Sequence, residues 1–213
     1  MNDPHQSGYP PPPWRSRGRM WTGFFRAEPA PALPADLTPV RPALTALMLI
    51  RYLEGTLRYD EFAVGTMARR GRHLGLFVHL IWVDDRASQL GGRRIWGLPK
   101  QLATFRWEDG MVEVTDDDGP VATVQVGRHR SRLPALPLFT AGLGEVDGQR
   151  VLSPGRLRGR PGLTRMRLAS WSRRLPVRLP EGQARRAIAL DPFRMTVKPA
   201  VRLGLVAARR GEE

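Results

Sequence analysis

The sequence predicts an α+β fold that is mainly β: one twisted antiparallel sheet or barrel with one or two packed helices. Three observations lead there. Between Ala43 and Asp84 three apolar, partly alternating runs follow one another with short turns between them. Downstream, "EDG" and "DDDG" are hairpin signals separating short strands. The 22 Gly and 20 Pro also favour turns and short strands over a helical bundle.

Residues 1–20, rich in Pro, Gly, Ser and Arg, read as a flexible arm with polyproline character, and 21–213 as a single domain. "PAPALPADLTPVRP" (Pro29 to Pro42) is too kinked for a helix longer than a turn. Alone, "ALTALMLIRYL" (Ala43 to Leu53) suits a buried strand or a short helix. The next segments, "LRYDEFAVGTMAR" and "LGLFVHLIWVD", joined by the turn "RRGRH", decide for a meander of strands. Asp85 can then cap a helix through Ala87, Ser88, Gln89 and Leu90, which the pair Gly91-Gly92 is expected to keep short. Pro99 ends any helix and holds Leu98 extended. "LATFRWEDGMVEVTDDDGPVATVQV" carries three short strands. Gly127 to Arg160 reads mostly as loop with "LPALPLF" as an apolar plug, and "GLTRMRLASWSRRLPVRL" and "FRMTVKPAVRLGL" read as further strands.

Composition removes several function classes. With no cysteine, neither disulfides nor thiolate metal sites are available, and His5, His73, His79 and His129 lack zinc-binding spacing, so no metal is expected. No run approaches about 18 apolar residues, and "MNDPHQSGYPPPPW" has no apolar core, so a cytoplasmic protein without a membrane span is expected. The net charge of +14 is spread as Arg-Arg and Arg-x-Arg pairs, with no Lys-rich tail and no nucleic-acid motif. No specific nucleic-acid partner is expected. An anionic small molecule explains local positive charge at least as well.

Only two of the 34 basic residues are lysines, Lys100 and Lys198. Lys100 follows a proline in "GRRIWGLPKQLATFRW", among apolar and aromatic residues. At an ordinary pKa of about 10.4, roughly one lysine in 2,500 is neutral at pH 7, and only the neutral amine is a nucleophile. Burial against Ile95, Trp96, Leu98 and Pro99, with positive charge from Arg93 and Arg94, would depress that value, whereas a lysine at the end of a helix–turn that snorkels to solvent would keep it; composition alone leaves both open. A neutral amine condenses with ketones or aldehydes to a Schiff base, an electron sink for decarboxylation or carbon–carbon chemistry.

"VDDRASQLGGRRIWGLPKQLATF" resembles the acetoacetate decarboxylase family, whose hallmark is Gly-Arg-Glu, then an aromatic or apolar residue, Pro and Lys-Lys-Leu. The resemblance implies a barrel or cone with Lys100 as the Schiff-base lysine. "RYLEGTLRYDEF" is similar to the family's strand ending in Tyr-x-Glu, which implies an active-site carboxylate at Glu61. On that strand Tyr59 and Ala63 share a face with Glu61. "FFRAEPAPALPADLTP" resembles the segment with a substrate-carboxylate arginine, here Arg26. Arg51, Trp96 and Gln101 complete the candidate substrate-binding set, and Arg94 is the candidate for tuning the lysine pKa. Three positions depart from the family pattern: Gln101 replaces the second lysine, Arg94 replaces the glutamate after Gly-Arg, and Ala46 stands near another family carboxylate.

The expected function is a Schiff-base-forming lyase acting on a small keto acid, by decarboxylation or by aldol or dehydration chemistry through the same imine. No metal or organic cofactor is needed, because the protonated imine is the electron sink. The alternative is a non-catalytic relative that binds a small carboxylate or lipid-like ligand. The expected partners are a small keto acid or other anionic ligand and further copies of the chain in a homo-oligomer.

Overall fold

The computed structural model describes residues 8–128 and 133–206. In chain order the elements are β1 (Trp14–Arg26), β2 (Thr38–Pro39), β3 (Leu44–Gly55), β4 (Tyr59–Arg70), β5 (His73–Val83), α1 (Arg86–Trp96), β6 (Lys100–Leu102), β7 (Thr104–Glu108) and β8 (Met111–Asp116). There follow β9 (Gly119–Val126), β10 (Leu136–Val146), β11 (Gln149–Leu163), β12 (Met166–Trp171), β13 (Gly182–Gln183), β14 (Arg186–Val197) and β15 (Val201–Leu205). The strands β4-β3-β1-β14-β11-β10-β5 lie side by side, and β5 pairs again with β4, closing a seven-stranded barrel. A second sheet, β13-β12-β9-β8-β7, covers part of its outer face. This is the mainly β architecture that the sequence predicts, with a single helix among the described residues.

Alternation along the strands separates two cores. Phe62, Val64, Leu80 and Trp82 point outward and pack against Val112, Val124 and Leu168 of the second sheet. Complete burial of side chains such as Phe62 and Trp82 contributes about 2–3 kcal/mol each. The inner face carries Ile50, Tyr52, Tyr59, Val83, Leu157, Leu190 and Phe193. Opposite residues on paired strands share a face, so Glu61, paired with both Ile50 and Val83, points inward with this second group.

Several local readings are corrected. The expected arm is shorter than 20 residues, because Trp14 to Met20 form the first half of β1 and pair with β14 on one side and, from Ser16, with β3 on the other; residues 1–7 lie outside the described residues. The segment from Gly127 to Arg160 is not mostly loop. Leu136 to Val146 and Gln149 to Leu163 form a long antiparallel hairpin that also pairs with β14. Paired backbone, not β-branched content, holds it. The barrel is not purely antiparallel either: β5 runs parallel to β10 over Leu76 and Phe77, and parallel to β6. The second pairing is a β-helix-β crossover, in which α1 returns the chain in the direction it came from.

The proline-rich passage is fastened by a buried arginine. Arg150, 1% exposed, donates from Nε and Nη2 to the Asp36 carboxylate at 3.0 and 2.9 Å and from Nη1 to the Gly144 carbonyl. The hydrogen bond from Arg150 holds the Asp36 carboxyl below its ordinary value, with Arg70 adding to the effect. Among the described residues, no helix is long and apolar enough to cross a membrane.

Candidate active site

Helix α1 is longer than its glycine pair suggests, and the same glycines explain why. Asp85 caps it, its Oδ1 accepting from the Ser88 amide at 2.6 Å, and the helix continues to Trp96. A methyl group on Gly91 would lie 2.6 Å from the Trp14 ring, and one on Gly92 would lie 2.5 Å from Lys100 Cδ. The pair is there for close approach. Gly97, at φ 61, then reverses the chain in the left-handed region, its N–H bonding back to Arg93. Arg93 Nε also donates to the Lys100 carbonyl at 2.6 Å. Through this turn Lys100 enters β6 opposite Ile81, on the inner face of the barrel.

The Lys100 side chain is 3% exposed and its ammonium is surrounded by oxygens. Nζ donates to Glu61 Oε2 at 2.7 Å, to Ser88 Oγ at 2.9 Å and to Tyr59 Oη at 3.5 Å. Tyr52 donates to Glu61 Oε1 at 3.3 Å, and the Tyr52 and Tyr59 rings lie 4.4 Å apart. Three elements, β4, α1 and β6, thus meet at one amine, and β3 backs Glu61 through Tyr52. Burial pulls the Lys100 pKa down, but the Glu61 and Tyr59 oxygens together outweigh it, so the net direction is upward. Burial also pushes Tyr59 up, to about 12, and Tyr52 well above its ordinary value.

That corrects the expected state of the lysine. The amine is dry, as an apolar surround implies, but its buried counter-charge keeps it protonated in the resting protein. Nor does Lys100 line the hollow beside its own turn. That hollow, of about 520 Å³, lies beside Arg93, Leu98, Pro99, Gln101 and Glu145, next to the lysine but not reaching it.

A family model for acetoacetate decarboxylase (ADC) matches residues 1–136, well over half the chain. The chain belongs to the acetoacetate decarboxylase family. It is 32% identical to acetoacetate decarboxylase 1 of Mesorhizobium japonicum over 151 residues, a match spanning 65% of this chain and 60% of that protein. The chain therefore matches less than two thirds of that relative's length. The acetoacetate decarboxylase of Legionella pneumophila has a similar fold, with a TM-score of 0.64 at 20% identity, over 94% of this chain and 89% of that one. The enduracididine biosynthesis enzyme MppR complexed with pyruvate superposes with a TM-score of 0.65 at 15% identity, covering 91% of each chain.

Of the residues this family resemblance singled out, the barrel brings two together, Lys100 and Glu61. The others lie elsewhere. Arg26, at the far end of β1, is exposed and pairs with Glu28 at 3.1 Å. Arg51 is opposite Asp60 on the outer face, its Nε 3.1 Å from Asp60 Oδ1 and its guanidinium 4.5 Å from the Trp107 ring centre. Trp96 is buried edge-on against Trp14 at 4.7 Å and donates from its indole to the Lys198 carbonyl. Gln101 is opposite Trp82, on the face away from Lys100, as adjacent strand residues must be. Arg94 is exposed, and the leading influences on Lys100 are burial, Glu61 and Tyr59.

Three polar neighbours were not anticipated as site residues: Ser88, Tyr52 and Tyr59. Tyr59 had a signal, since it shares a strand face with Glu61 two residues on. Ser88 had none, because a serine inside a helical pattern looks the same whether or not its hydroxyl meets a lysine.

Proposed function

We propose that this acetoacetate decarboxylase family member is a Schiff-base-forming lyase acting on a small keto acid, with Lys100 as the nucleophile and Glu61 as its proton partner. The observation that carries the reading is the 2.7 Å contact between Lys100 Nζ and Glu61 Oε2 inside the barrel, both side chains more than nine-tenths buried. In so dry a site a proton passes from the ammonium to the carboxylate without either group meeting water. The free amine then attacks the keto carbon. Once the adduct loses water as an iminium, the Cα–carboxylate bond breaks, its electrons flow into the iminium to give an enamine and carbon dioxide leaves. Protonation of the enamine carbon and hydrolysis return the amine.

Tyr59 makes the longest of the three contacts to Nζ, 3.5 Å, and is the one that a substrate carbonyl displaces most cheaply. The pyruvate complex of MppR supports the keto-acid class. Arg26 and Arg51 are paired with Glu28 and Asp60 away from Lys100, so neither guanidinium faces a substrate carboxylate at the amine. One observation favours a second reading, a binding protein without turnover. All three N–H bonds of the ammonium already have acceptors, which suits a fixed ion pair with Glu61 and an amine held back from attack.

Carbon dioxide release separates the two readings. Incubation with acetoacetate and other β-keto acids is expected to release it from the native protein and not from Lys100→Met. A ligand-dependent rise in melting temperature with neither carbon dioxide release nor a borohydride-trapped adduct on Lys100 establishes the binder.

A further inference from the structure

The sequence reading gives Ser88 no role beyond a place in the helix, yet its hydroxyl touches the reacting nitrogen. Ser88 is completely buried, and its own amide is occupied by the Asp85 cap. Its Oγ lies 2.9 Å from Lys100 Nζ. The groups facing the amine are Glu61 and Tyr59 from β4 and Ser88 from α1, with Tyr52 from β3 behind Glu61. Gly92, one helical turn beyond Ser88, leaves the lysine stem room to lie along this helix face.

The chemistry of these groups differs. An ionised Glu61 only accepts, whereas a hydroxyl accepts and donates at once. Carbonyl addition needs such a group, because attack by the amine gives an adduct with two N–H bonds on a cationic nitrogen beside an alkoxide. A proton must move from nitrogen to that oxygen before water can leave, and the 3% exposure of Lys100 argues against bulk water carrying it.

Resting on the Schiff-base reading above, we infer that Ser88 is a catalytic proton relay for imine formation. The Ser88 oxygen takes one N–H proton of the adduct while its own proton passes to the alkoxide, giving a neutral carbinolamine and an unchanged serine. Glu61, protonated when it freed the amine, then protonates the carbinolamine hydroxyl. The C–O bond breaks, the nitrogen lone pair forms the C=N bond, and the products are iminium, water and the Glu61 carboxylate. Glu61 and Ser88 have separate duties: one frees the amine, the other moves the proton within the adduct.

The test is reductive trapping with pyruvate and acetoacetate in cyanoborohydride, measured as rate against keto-acid concentration at several pH values. Ser88→Ala is expected to form the same Lys100 adduct about tenfold or more slowly, with the half-saturating concentration unchanged. Ser88→Cys, close in shape but a poor relay, is expected to be similarly slow and serves if the alanine variant does not fold. Native-like rates in the variants, or a change in half-saturation alone, overturn the relay and leave the lyase reading intact. No adduct in the native protein overturns both.

Discussion

Gly92 lies so close to Lys100 that a methyl group on it would come within 2.5 Å of Lys100 Cδ and 2.7 Å of Cε. The helix carries a residue poor in helix propensity at this point because the lysine stem needs the space. Alanine would favour the helix by about 1 kcal/mol, so Gly92→Ala is expected to keep its far-ultraviolet circular dichroism. Its Lys100 ammonium is pushed away from Glu61 and Ser88, and adduct formation with keto acids is expected to fall about tenfold or more. Native adduct rates in a folded Gly92→Ala protein would show that the close approach has no bearing on the chemistry.

Lys100 and Glu61 are a buried pair, and removing one partner strands the other. Lys100→Met is expected to lower stability by about 3–5 kcal/mol in urea unfolding, because it leaves the buried Glu61 carboxyl without its partner. Lys100→Met with Glu61→Gln neutralises both and is expected to regain at least half of the loss, giving a coupling energy above about 1 kcal/mol. Additive losses contradict the pair. Since the folded lysine pKa is raised, the stability it contributes is present at neutral pH and is lost as pH rises through the folded value, above 10.5.

Glu61 also sets when the lysine can react. Burial alone lowers the Lys100 pKa, and Glu61 is the largest of the opposing influences. Glu61→Gln is therefore expected to move the midpoint of the trapping rate to lower pH, while the alkaline plateau falls for want of the acid that expels water. An unmoved midpoint, or one displaced upward, would mean that Glu61 does not hold the proton on Lys100.

His79 makes a separate pH prediction. Burial lowers its pKa from 6.5 to about 4, and its Nε2 is 2.9 Å from Thr66 Oγ1. An unfolded histidine binds its proton below 6.5 while the folded one does not until about pH 4, so stability is lost as pH falls through this window. His79→Gln is expected to flatten the fall in melting temperature between those values relative to the native protein. Parallel curves for the two proteins would remove His79 as the cause.

What the sequence made legible was the strand pattern and the two residues that meet. Lys100 stands out through its Pro-Lys context and Glu61 through its Tyr-x-Glu segment, both by resemblance to the family rather than by composition or strand pattern alone. The rest was hidden for physical reasons. Arg26 matches a motif but lies at the far end of β1, where its guanidinium reaches Glu28 and solvent. Arg51 and Gln101 are one residue out of phase with the inner face, and that phase depends on barrel closure, a long-range fact. Gly91 and Gly92 resemble helix breakers unless the Trp14 ring and the Lys100 stem are known to lie against them. β11 reads as loop because Pro154, Pro161 and its glycines obscure the alternation; pairing with β10 and β14 supplies what propensity does not.

With only two lysines in the chain, the central claim reduces to one peptide-mapped experiment. Native protein is treated with acetoacetate and cyanoborohydride, digested and analysed by mass spectrometry. A reduced keto-acid or ketone adduct on Lys100, with Lys198 unmodified, is the expected result. A modified Lys198 beside an intact Lys100, or no lysine adduct at all, would contradict the assignment of Lys100 as the nucleophile.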